Sequence, residues 1–247
     1  MLFEERAEKI LVYIGQKGTA GIAELAEMIG TSESTIRRDI AQLDQMGKLK
    51  RVYGGAARLT SSVFTVEEDI QTKSAKNTEQ KMRIAEYAAA QIHDRELVYI
   101  DAGTTTMMMI PFIRAKDAVF VTNGVAHAKM LTQAGHSTYI VGGKLKSTTE
   151  AIVGSDAIDF IRKYNFSKCF MGTNGMDAEH GFTTPDIDEA RMKEEAMKHS
   201  YVSYVLADAS KFRKVSAVTF ARIESACVIT DAAGDKAIMD KTVVKVV

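Results

Sequence analysis

Three short stretches at the start of the chain repeat apolar positions with the period of an α-helix. Apolar residues recur every three or four positions in each, which predicts that one face of each helix is buried. The predicted buried positions are Ala7, Ile10, Leu11 and Ile14, then Ile22, Leu25, Ala26 and Ile29, and finally Ile36, Ile40 and Leu43. Gly30 can end the second helix in the left-handed conformation, and Thr31 or Ser32 can cap the third.

The free face of the third helix carries short hydroxyls near its start and a pair of guanidiniums. The groups on this face are Ser34, Thr35, Arg37, Arg38 and Gln42. A helix that enters the major groove of DNA needs such a face, because hydroxyl and guanidinium groups reach phosphates and base edges. The sequence therefore predicts a helix-turn-helix whose third helix reads DNA.

Segment 48–58 alternates apolar and charged residues and predicts a two-stranded wing, in which Gly54 and Gly55 provide a turn or a close backbone approach. Between Ser34 and Arg58 six basic residues outnumber two acidic ones, whereas the 32 basic and 32 acidic residues of the whole chain balance. A local basic patch on a neutral chain indicates a nucleic-acid partner. The alternative is a three-helix bundle for protein contacts with solvated charges, but the turn, the arginine pair and the wing together favour DNA.

Strands alternate with helices through the rest of the chain. Strands are predicted at 97–100, 118–122, 138–141, 168–171, 201–207, 226–230 and 243–246, and helices at 82–92, from 104, at 125–133, 155–163 and 187–199. This alternation predicts an α/β domain with an open, mostly parallel sheet and helices on both faces. Segment 59–76 is rich in Ser, Thr and charge with a poor helical pattern, so we predict a linker there between domains 1–58 and 77–247.

The composition is that of an ordinary globular protein, with 46% hydrophobic and 26% charged residues. No apolar run approaches the ~20 residues that span a bilayer, and no apolar secretory segment follows Met1. Cys169 and Cys227 lie far apart, and no histidine pairs with a cysteine or another histidine at ligand spacing. We therefore expect a cytoplasmic protein with buried, inert thiols and without a metal, a cofactor or a membrane partner.

Polar residues follow the predicted strands at the points where these end. They are Asp101, Gly103, Thr104, Thr105 and Thr106, then Asn123, then Gly142, Gly143 and Lys144, and finally Asp208 and Lys211. Ligands of parallel sheets bind beyond the C-terminal strand ends. Backbone N–H and ammonium groups suit a phosphate, and carboxylate and amide oxygens suit hydroxyls, so the set predicts a site for a phosphorylated polyol. Each residue alone has a plain alternative as a helix cap, a turn or a solvated charge, and only their coincidence favours a site.

Residues in both halves of the chain resemble the DeoR family of bacterial repressors. The N-terminal set comprises the run 35–40, Leu43, Gly47, Leu49, Arg51 and the run 54–56, and the family's helix-turn-helix would cover about residues 20–39. The C-terminal set comprises Glu79, Lys81, Asp101, the runs 103–106, 122–123 and 142–143, Gly154, Gly172, Gly175, Gly181, Thr183, Asp208 and the run 210–211. The family commonly has His where this chain has Tyr53, although a phenol can also contact phosphate.

The resemblance implies a sensor domain similar in fold to ribose-5-phosphate isomerase and CoA transferases, a phosphorylated-sugar inducer and a homo-oligomer, either a dimer or a tetramer. Segments 51–57 and 181–186 are most similar to the fructose-operon repressors, which respond to fructose 1-phosphate. The expected function is a sequence-specific repressor of a sugar-utilisation operon that a phosphorylated sugar releases from double-stranded operator DNA. The expected DNA contacts are Ser34, Thr35, Arg37, Arg38, Lys50, Arg51 and Tyr53.

A function of another class is an active sugar-phosphate isomerase that carries a DNA-binding module. Asp101 and Asp208 could then supply acid and base groups, while Lys144 or Lys211 stabilises an enediolate. No well-spaced pair of carboxylates stands out in the sequence, which favours a protein that is not an enzyme. A pure scaffold is disfavoured by the chemistry of the third helix.

Overall fold

The computed structural model describes residues 2–58, 69–233 and 235–247. The chain divides into two compact units, an N-terminal unit, Met1–Ser62, and a C-terminal unit, Val63–Val247. Within the described ranges, no helix combines the length and the apolar character that crossing a membrane requires.

The N-terminal unit is a winged helix-turn-helix, as predicted. Its helices and strands are α1 (Phe3–Lys17), β1 (Thr19–Gly21), α2 (Ile22–Ile29), α3 (Glu33–Gln45), β2 (Lys50–Val52) and β3 (Gly55–Ala57). The three apolar stripes meet in one core in which Ile10, Leu25 and Ile36 are completely buried. Burial of these stripes stabilises the helices, which are too short to persist alone in water.

Local signals in the sequence fix the turn and the wing. Gly30 ends α2 in the left-handed conformation with φ +74°, and the Ser32 hydroxyl, rather than that of Thr31, caps α3 by accepting the Thr35 N–H at 3.3 Å. Gly54 makes the turn of the wing with φ +78°. A Cβ at Gly55 would lie 2.1 Å from the carbonyl oxygen of Ala20, because β3 also pairs with β1, a strand that the sequence did not predict.

The C-terminal unit contains the remaining elements. Its strands are β4 (Leu97–Ile100), β5 (Val119–Thr122), β6 (Ser137–Ile140), β7 (Lys144–Leu145), β8 (Ile152–Val153), β9 (Phe166–Gly172), β10 (Gly175–Asp177), β11 (Gly181–Thr184), β12 (Ser200–Leu206), β13 (Val218–Ala221), β14 (Cys227–Thr230) and β15 (Val244–Val246). Its α-helices are α4 (Ile70–Ala75), α5 (Thr78–Ala89), α6 (Thr104–Met107), α7 (Val125–Gln133), α8 (Ser155–Ile161), α9 (Ile187–Lys198) and α10 (Lys236–Met239), and short 3-10 helices cover Ile110–Phe112, Ala209–Lys211 and Ile223–Ser225.

Seven strands form one sheet in the order β15-β14-β12-β9-β4-β5-β6, and every neighbouring pair is parallel. Successive residues of a strand face opposite sides, so Val98 and Ile100 pack into one core while Tyr99 packs into the other. Both faces are buried, which explains why the central strands read as apolar runs. The predicted α/β architecture is confirmed.

Several short elements were not predicted. They are the antiparallel sheet β10-β11-β13, the hairpin β7-β8 and the helices α4 and α10. Each of these strands and helices has at most six residues, which is too short to show a hydrophobic period. Helix α4 lies inside the predicted linker 59–76, where Asp69 caps it by accepting the Thr72 N–H at 2.7 Å; residues 59–68 lie outside the described residues. Met82, expected to mark the buried face of α5, is 48% exposed.

The two cysteines differ in their surroundings. Cys169 is buried in the sheet, and its thiol donates to the Ser203 hydroxyl at 3.2 Å. Burial raises the pKa of the Cys169 thiol to about 11, so it stays protonated and unreactive. Cys227 is only partly buried, in contrast to the expectation that both thiols are, because it lies at the start of its strand.

Candidate DNA-binding face and effector pocket

The outer face of α3 presents the groups that the sequence predicted for DNA contact. Ser34, Arg37, Arg38 and Gln42 are exposed and Thr35 is partly exposed, while Ile36, Ile40 and Leu43 turn into the core. The Arg37 side chain is 61% exposed and forms an ion pair with Glu33 on the preceding turn at 3.0 Å. Such an exposed pair contributes little stability and leaves the guanidinium available to phosphate.

The wing extends this face. Lys50 and Arg51 are exposed on β2, and Tyr53 at the turn is fully exposed. The Arg51 N–H donates to Asp44 Oδ1 at 3.1 Å, which ties the wing to the end of α3. The N-terminal unit therefore displays all seven predicted DNA-contact residues on its surface.

An ion pair between a partly exposed arginine and a buried carboxylate sets the position of α3. Arg6 of α1 donates to both carboxylate oxygens of Asp39, at 2.7 and 2.9 Å, and Asp39 is only 2% exposed. A forked contact of this kind fixes the relative rotation of the two helices. The acidic residue that follows the exposed arginine pair thus has a structural role.

We expect Arg6→Ala to lower the melting temperature of the N-terminal unit by several degrees, because the Asp39 carboxylate would remain buried without its main partner. Lys9→Ala, at an exposed position of the same helix, is the matched control and should change little. Thermal denaturation followed by circular dichroism measures both variants. Equal melting temperatures for Arg6→Ala and the wild type would contradict this role of the pair.

A pocket of about 220 Å³ opens in the C-terminal unit where three adjacent central strands, β4, β9 and β12, end. Pockets for drug-sized ligands usually measure about 300–1,000 Å³, so this one suits a small metabolite. The residues that these strand ends contribute to its lining include Asp101, Ala102, Gly103, Gly172, Thr173, Leu206, Ala207 and Asp208. Ligand binding at this edge is what the parallel topology predicts.

A buried ion pair lies in the pocket wall. Asp101 accepts hydrogen bonds through Oδ2 from the Lys193 ammonium and, at 3.1 Å, from the Gly172 N–H. Asp101 is 3% exposed and Lys193 6% exposed, so the two charges compensate each other out of water. The pair links the end of β4 to α9.

Six of the described lysines line the pocket, and four of them are together called the cationic wall: Lys73, Lys76, Lys81 and Lys211. Lys81 is 4% exposed, and its ammonium donates to the carbonyl oxygen of Lys73 and, at 3.3 Å, to Thr104 Oγ1. Asn77 joins this wall to the end of β12 by donating to Asp208 Oδ1 at 3.0 Å. Ammonium groups donate charge-assisted hydrogen bonds to anions, so this wall suits an anionic ligand.

The structure brings six of the predicted effector residues into the pocket lining: Asp101, Gly103, Thr104, Thr105, Asp208 and Lys211. Thr106 and Asn123 lie behind the lining and shape it. The Thr106 hydroxyl accepts the Gly103 N–H at 3.0 Å, and Asn123 Oδ1 accepts the Ala102 N–H at 3.0 Å. Both side chains are buried, so they act by positioning the backbone of the loop.

The structure does not place Gly142, Gly143 or Lys144 in the pocket lining. They follow β6, the edge strand, which is separated from β4 by β5, so about 10 Å of sheet lies between the two strand ends. Gly143 instead allows the hairpin β7-β8 to pack closely, since a Cβ there would lie 2.7 Å from the Val153 carbonyl oxygen. Lys144 is exposed on β7.

The pocket residues that lie on helices were not among the predicted site residues, above all Lys73, Lys81, Glu189 and Lys193. For two of them, the sequence contains a pattern that indicates a buried lysine. Lys81 stands three and four residues before the buried Ile84 and Ala85 of the same helix, and Lys193 stands in the same relation to Ala196 and Met197. A lysine inside an apolar stripe is a candidate functional residue, because burial of an ammonium group needs a partner.

His127 contacts the backbone of the loop that contains Gly103 and lines the pocket. Its Nε2 lies 2.9 Å from the Gly103 carbonyl oxygen, which can only accept, so this nitrogen carries the proton. Burial lowers the pKa of His127 from 6.5 to about 4, and the ring is therefore neutral at physiological pH. The loop is thus positioned by a neutral donor that adds no charge to the pocket.

We expect acid to destabilise the C-terminal unit through His127. Between pH 6.5 and about 4 the unfolded chain binds a proton at this residue that the folded chain does not, so the free energy of unfolding falls as the pH falls. The contribution reaches ~3 kcal/mol at the lower end. Denaturant unfolding at several pH values should show a shallower slope for His127→Gln than for the control His180→Gln. Equal slopes would contradict the assignment.

Comparison with known proteins decides the family. Residues 6–62 match the DeoR-like helix-turn-helix domain, and residues 76–232 match the DeoR C terminal sensor domain. The chain belongs to the DeoR family. In this member of a family of transcriptional regulators, the winged helix-turn-helix lies in the N-terminal unit and the pocket lies in the C-terminal unit.

Relatives of this DeoR-family chain match over most of their length. The HTH-type transcriptional regulator FruR of Bacillus subtilis, named as uncharacterized, is 45% identical over all of this chain and 99% of its own. A putative aga operon transcriptional repressor of Escherichia coli O157:H7 is 33% identical over 86% of this chain and 80% of its own. Among solved structures, ribose 5-phosphate isomerase from Plasmodium falciparum matches with a TM-score of 0.40 and 14% identity, over 53% of this chain and 52% of its own.

One group of potential metal ligands comes together in the described part of the chain, at Asp177, Glu179 and His180, whose ligand atoms lie within 4.8 Å of one another. The Asp177 carboxylate already accepts the backbone N–H groups of Glu179 and His180 at 2.9 and 3.1 Å. This is the geometry of a turn in which an aspartate side chain bonds the following backbone. The absence of a bound metal stays a prediction.

Proposed function

We propose that this chain is a repressor of a sugar-utilisation operon that a phosphorylated sugar releases from double-stranded operator DNA. The observation that carries the proposal is a pocket with a cationic wall at the strand ends of the sensor domain, in a chain whose other unit displays seven potential DNA-contact residues. The name of the E. coli relative, a putative operon repressor, supports the negative sign of the regulation.

DNA binding is proposed to use α3 in the major groove and the wing beside it. Arg37, Arg38, Lys50 and Arg51 would bind phosphates or guanine edges, while Ser34 and Thr35 help to read bases. Tyr53, at the tip of the wing, would contact the backbone. A homo-oligomer, with two such units on successive half-sites, would double these contacts. The proposed setting is the cytoplasm.

Effector binding is proposed to place the phosphate against the cationic wall. Lys81 donates to Thr104 Oγ1 at 3.3 Å there, so an oxyanion bound beside this pair would meet both an ammonium and a hydroxyl. Coupling of ~2–3 kcal/mol between effector and DNA would weaken operator binding by tens to about a hundredfold. The proposed effector is fructose 1-phosphate, on the resemblance of segments 51–57 and 181–186 to fructose-operon repressors.

A gel shift with the DNA upstream of the chain's own gene tests this function. We expect a shifted band that fructose 1-phosphate removes and that a panel of other phosphorylated sugars, ribose 5-phosphate included, leaves in place. Removal by a different member of the panel would replace the proposed effector but keep the mechanism. A band that no phosphorylated sugar changes would contradict the sensor role.

The isomerase alternative is not favoured, because the full-length relatives are named as regulators. The structure also pairs Asp101, one of the two carboxylates proposed for that reaction, with Lys193. An assay for interconversion of ribose 5-phosphate and ribulose 5-phosphate by the purified protein separates the two functions. Measurable turnover would support the isomerase function.

A further inference from the structure

Strand β6 is one outer edge of the seven-stranded sheet, and half of its backbone groups point away from the sheet. The Val141 N–H, just after the strand, donates to the Thr122 carbonyl oxygen of β5 at 3.1 Å. Backbone groups of alternate residues point the same way in a parallel ladder, so those of Tyr139 also face β5. The N–H and C=O groups of Thr138 and Ile140 therefore point outward, and no hydrogen bond joins them to another residue of the described ranges.

The side chains along this edge are uncharged and partly apolar. Segment 137–143 contains no charged residue. Tyr139 is 50% exposed on one face of the sheet and Ile140 is 42% exposed on the other. The Tyr139 ring lies 6.4 Å from that of Tyr164, so it extends an aromatic group at the surface. An uncharged edge with unpaired backbone groups is a template on which a further strand can pair.

The opposite edge of the sheet differs in charge. Strand β15 also exposes an apolar residue, since Val246 is 41% exposed, but its central residue is the exposed Lys245. Lysine is a common protection of a free edge, because pairing would force its charge against another strand. Strand β6 lacks this protection, which favours β6 as the edge that is covered in the assembled protein.

A second copy of the same strand fits this edge. If two β6 strands run antiparallel about a two-fold axis through Tyr139, Thr138 of each copy lies opposite Ile140 of the other. All four outward groups of each strand are then used, in four hydrogen bonds between the copies. The two Tyr139 residues form the pair without hydrogen bonds, with Cα atoms about 4.5 Å apart, where aromatic pairs stabilise a sheet. Because segment 137–143 is uncharged, this register brings no like charges together.

We propose that β6 pairs antiparallel with β6 of a second copy of this chain, so that two sheets join into one. Such an interface is isologous, with the same surface on both copies. This inference rests on the homo-oligomer of the proposed function and assigns one of its interfaces to the C-terminal unit.

Cysteine cross-linking tests the register. The Cα separation of a pair without hydrogen bonds lies within the range that a disulfide spans. Tyr139→Cys in the full chain should therefore form a covalent dimer on air oxidation, seen on a non-reducing gel and removed by dithiothreitol. Tyr201→Cys, which replaces a 93% exposed tyrosine of β12, is the matched control and should stay monomeric on the same gel.

Sedimentation velocity on the full chain tests the interface without a cross-link. Thr138→Pro removes an outward N–H and spares the ladder with β5, so this variant should sediment as half of the wild-type assembly. Two of the four hydrogen bonds between the copies are lost, and the dissociation constant should rise about tenfold or more. Val246→Pro is the matched control: the Val247 N–H donates to β14, so that of Val246 points outward from the other edge.

Tyr139→Lys keeps the test decisive if circular dichroism shows that Thr138→Pro folds poorly. Two lysines opposite each other repel, so this variant should also halve the assembly, whereas Tyr201→Lys should not. A wild-type assembly that survives in both folded β6 variants, or a Tyr139→Cys chain that forms no covalent dimer, would overturn this interface and leave the homo-oligomer in place. A monomeric wild type would overturn both, while DNA binding and its release by a sugar phosphate are decided separately by the gel shift.

Discussion

Replacing both Arg37 and Arg38 by alanine should weaken binding to the operator DNA by about a hundredfold or more, since each lost arginine contact to phosphate or guanine costs ~1–3 kcal/mol. Both side chains project from the exposed face of α3, and the residues behind them form the core independently of either guanidinium. The melting temperature should therefore stay close to that of the wild type. Fluorescence anisotropy with labelled upstream DNA measures the affinity.

The control for this variant removes the same charge elsewhere. Arg83 and Arg114 are exposed in the C-terminal unit, and their joint replacement by alanine should leave the affinity nearly unchanged. Salt adds a second readout, because each phosphate contact that is lost reduces the slope of log affinity against log salt by about one. An arginine-pair variant with wild-type affinity and an unchanged slope would remove α3 from the DNA interface.

Lys193→Met should lower the free energy of unfolding of the C-terminal unit by ~3–5 kcal/mol, the usual cost of leaving one partner of a buried ion pair alone. Among the described residues, the Gly172 N–H, at 3.1 Å, would then be the remaining hydrogen-bond donor to the Asp101 carboxylate. Because Asp101 also lines the pocket, release of DNA by the sugar phosphate should be lost in the same variant. Denaturant unfolding and the gel shift measure the two effects.

A double variant distinguishes the charge from the packing. Asp101→Asn together with Lys193→Met removes both charges and should recover much of the lost stability, while release of DNA stays impaired. Lys198→Met is the surface control, since Lys198 is 59% exposed on the same helix. If Lys193→Met has the same free energy of unfolding as the wild type, the ion pair with Asp101 does not stabilise the C-terminal unit.

The N-terminal unit could be predicted almost completely from the sequence because its signals are local. The helical period, the left-handed Gly30 and the hydroxyl cap each act within a few residues, and all appear in the structure as expected. The large sheet could be predicted equally well, because its central strands are buried on both faces and therefore form apolar runs in the sequence. The antiparallel strands β10, β11 and β13 were missed because three or four residues with glycine and threonine show no period.

The pocket was only partly predictable, because it depends on the order of the strands in space. The sequence shows that polar residues follow each strand but does not show that β9, rather than β5 or β6, lies between β4 and β12. The residues after β6 were therefore included, and those after β9 were left out. The lysines on α5 and α9 were missed because charged residues on helices are usually solvated.

The pocket draws on residues from 70 to 216, whereas the DNA-binding unit has its own core within residues 1–62. During synthesis the two functions must therefore appear at different times. At about 5–20 residues per second, the DNA-binding unit precedes the last residues of its sensor by roughly 10–30 s. A ribosome-bound chain can thus acquire its affinity for DNA before it can respond to any sugar, and the parallel sheet, whose contacts are distant in sequence, extends this interval further.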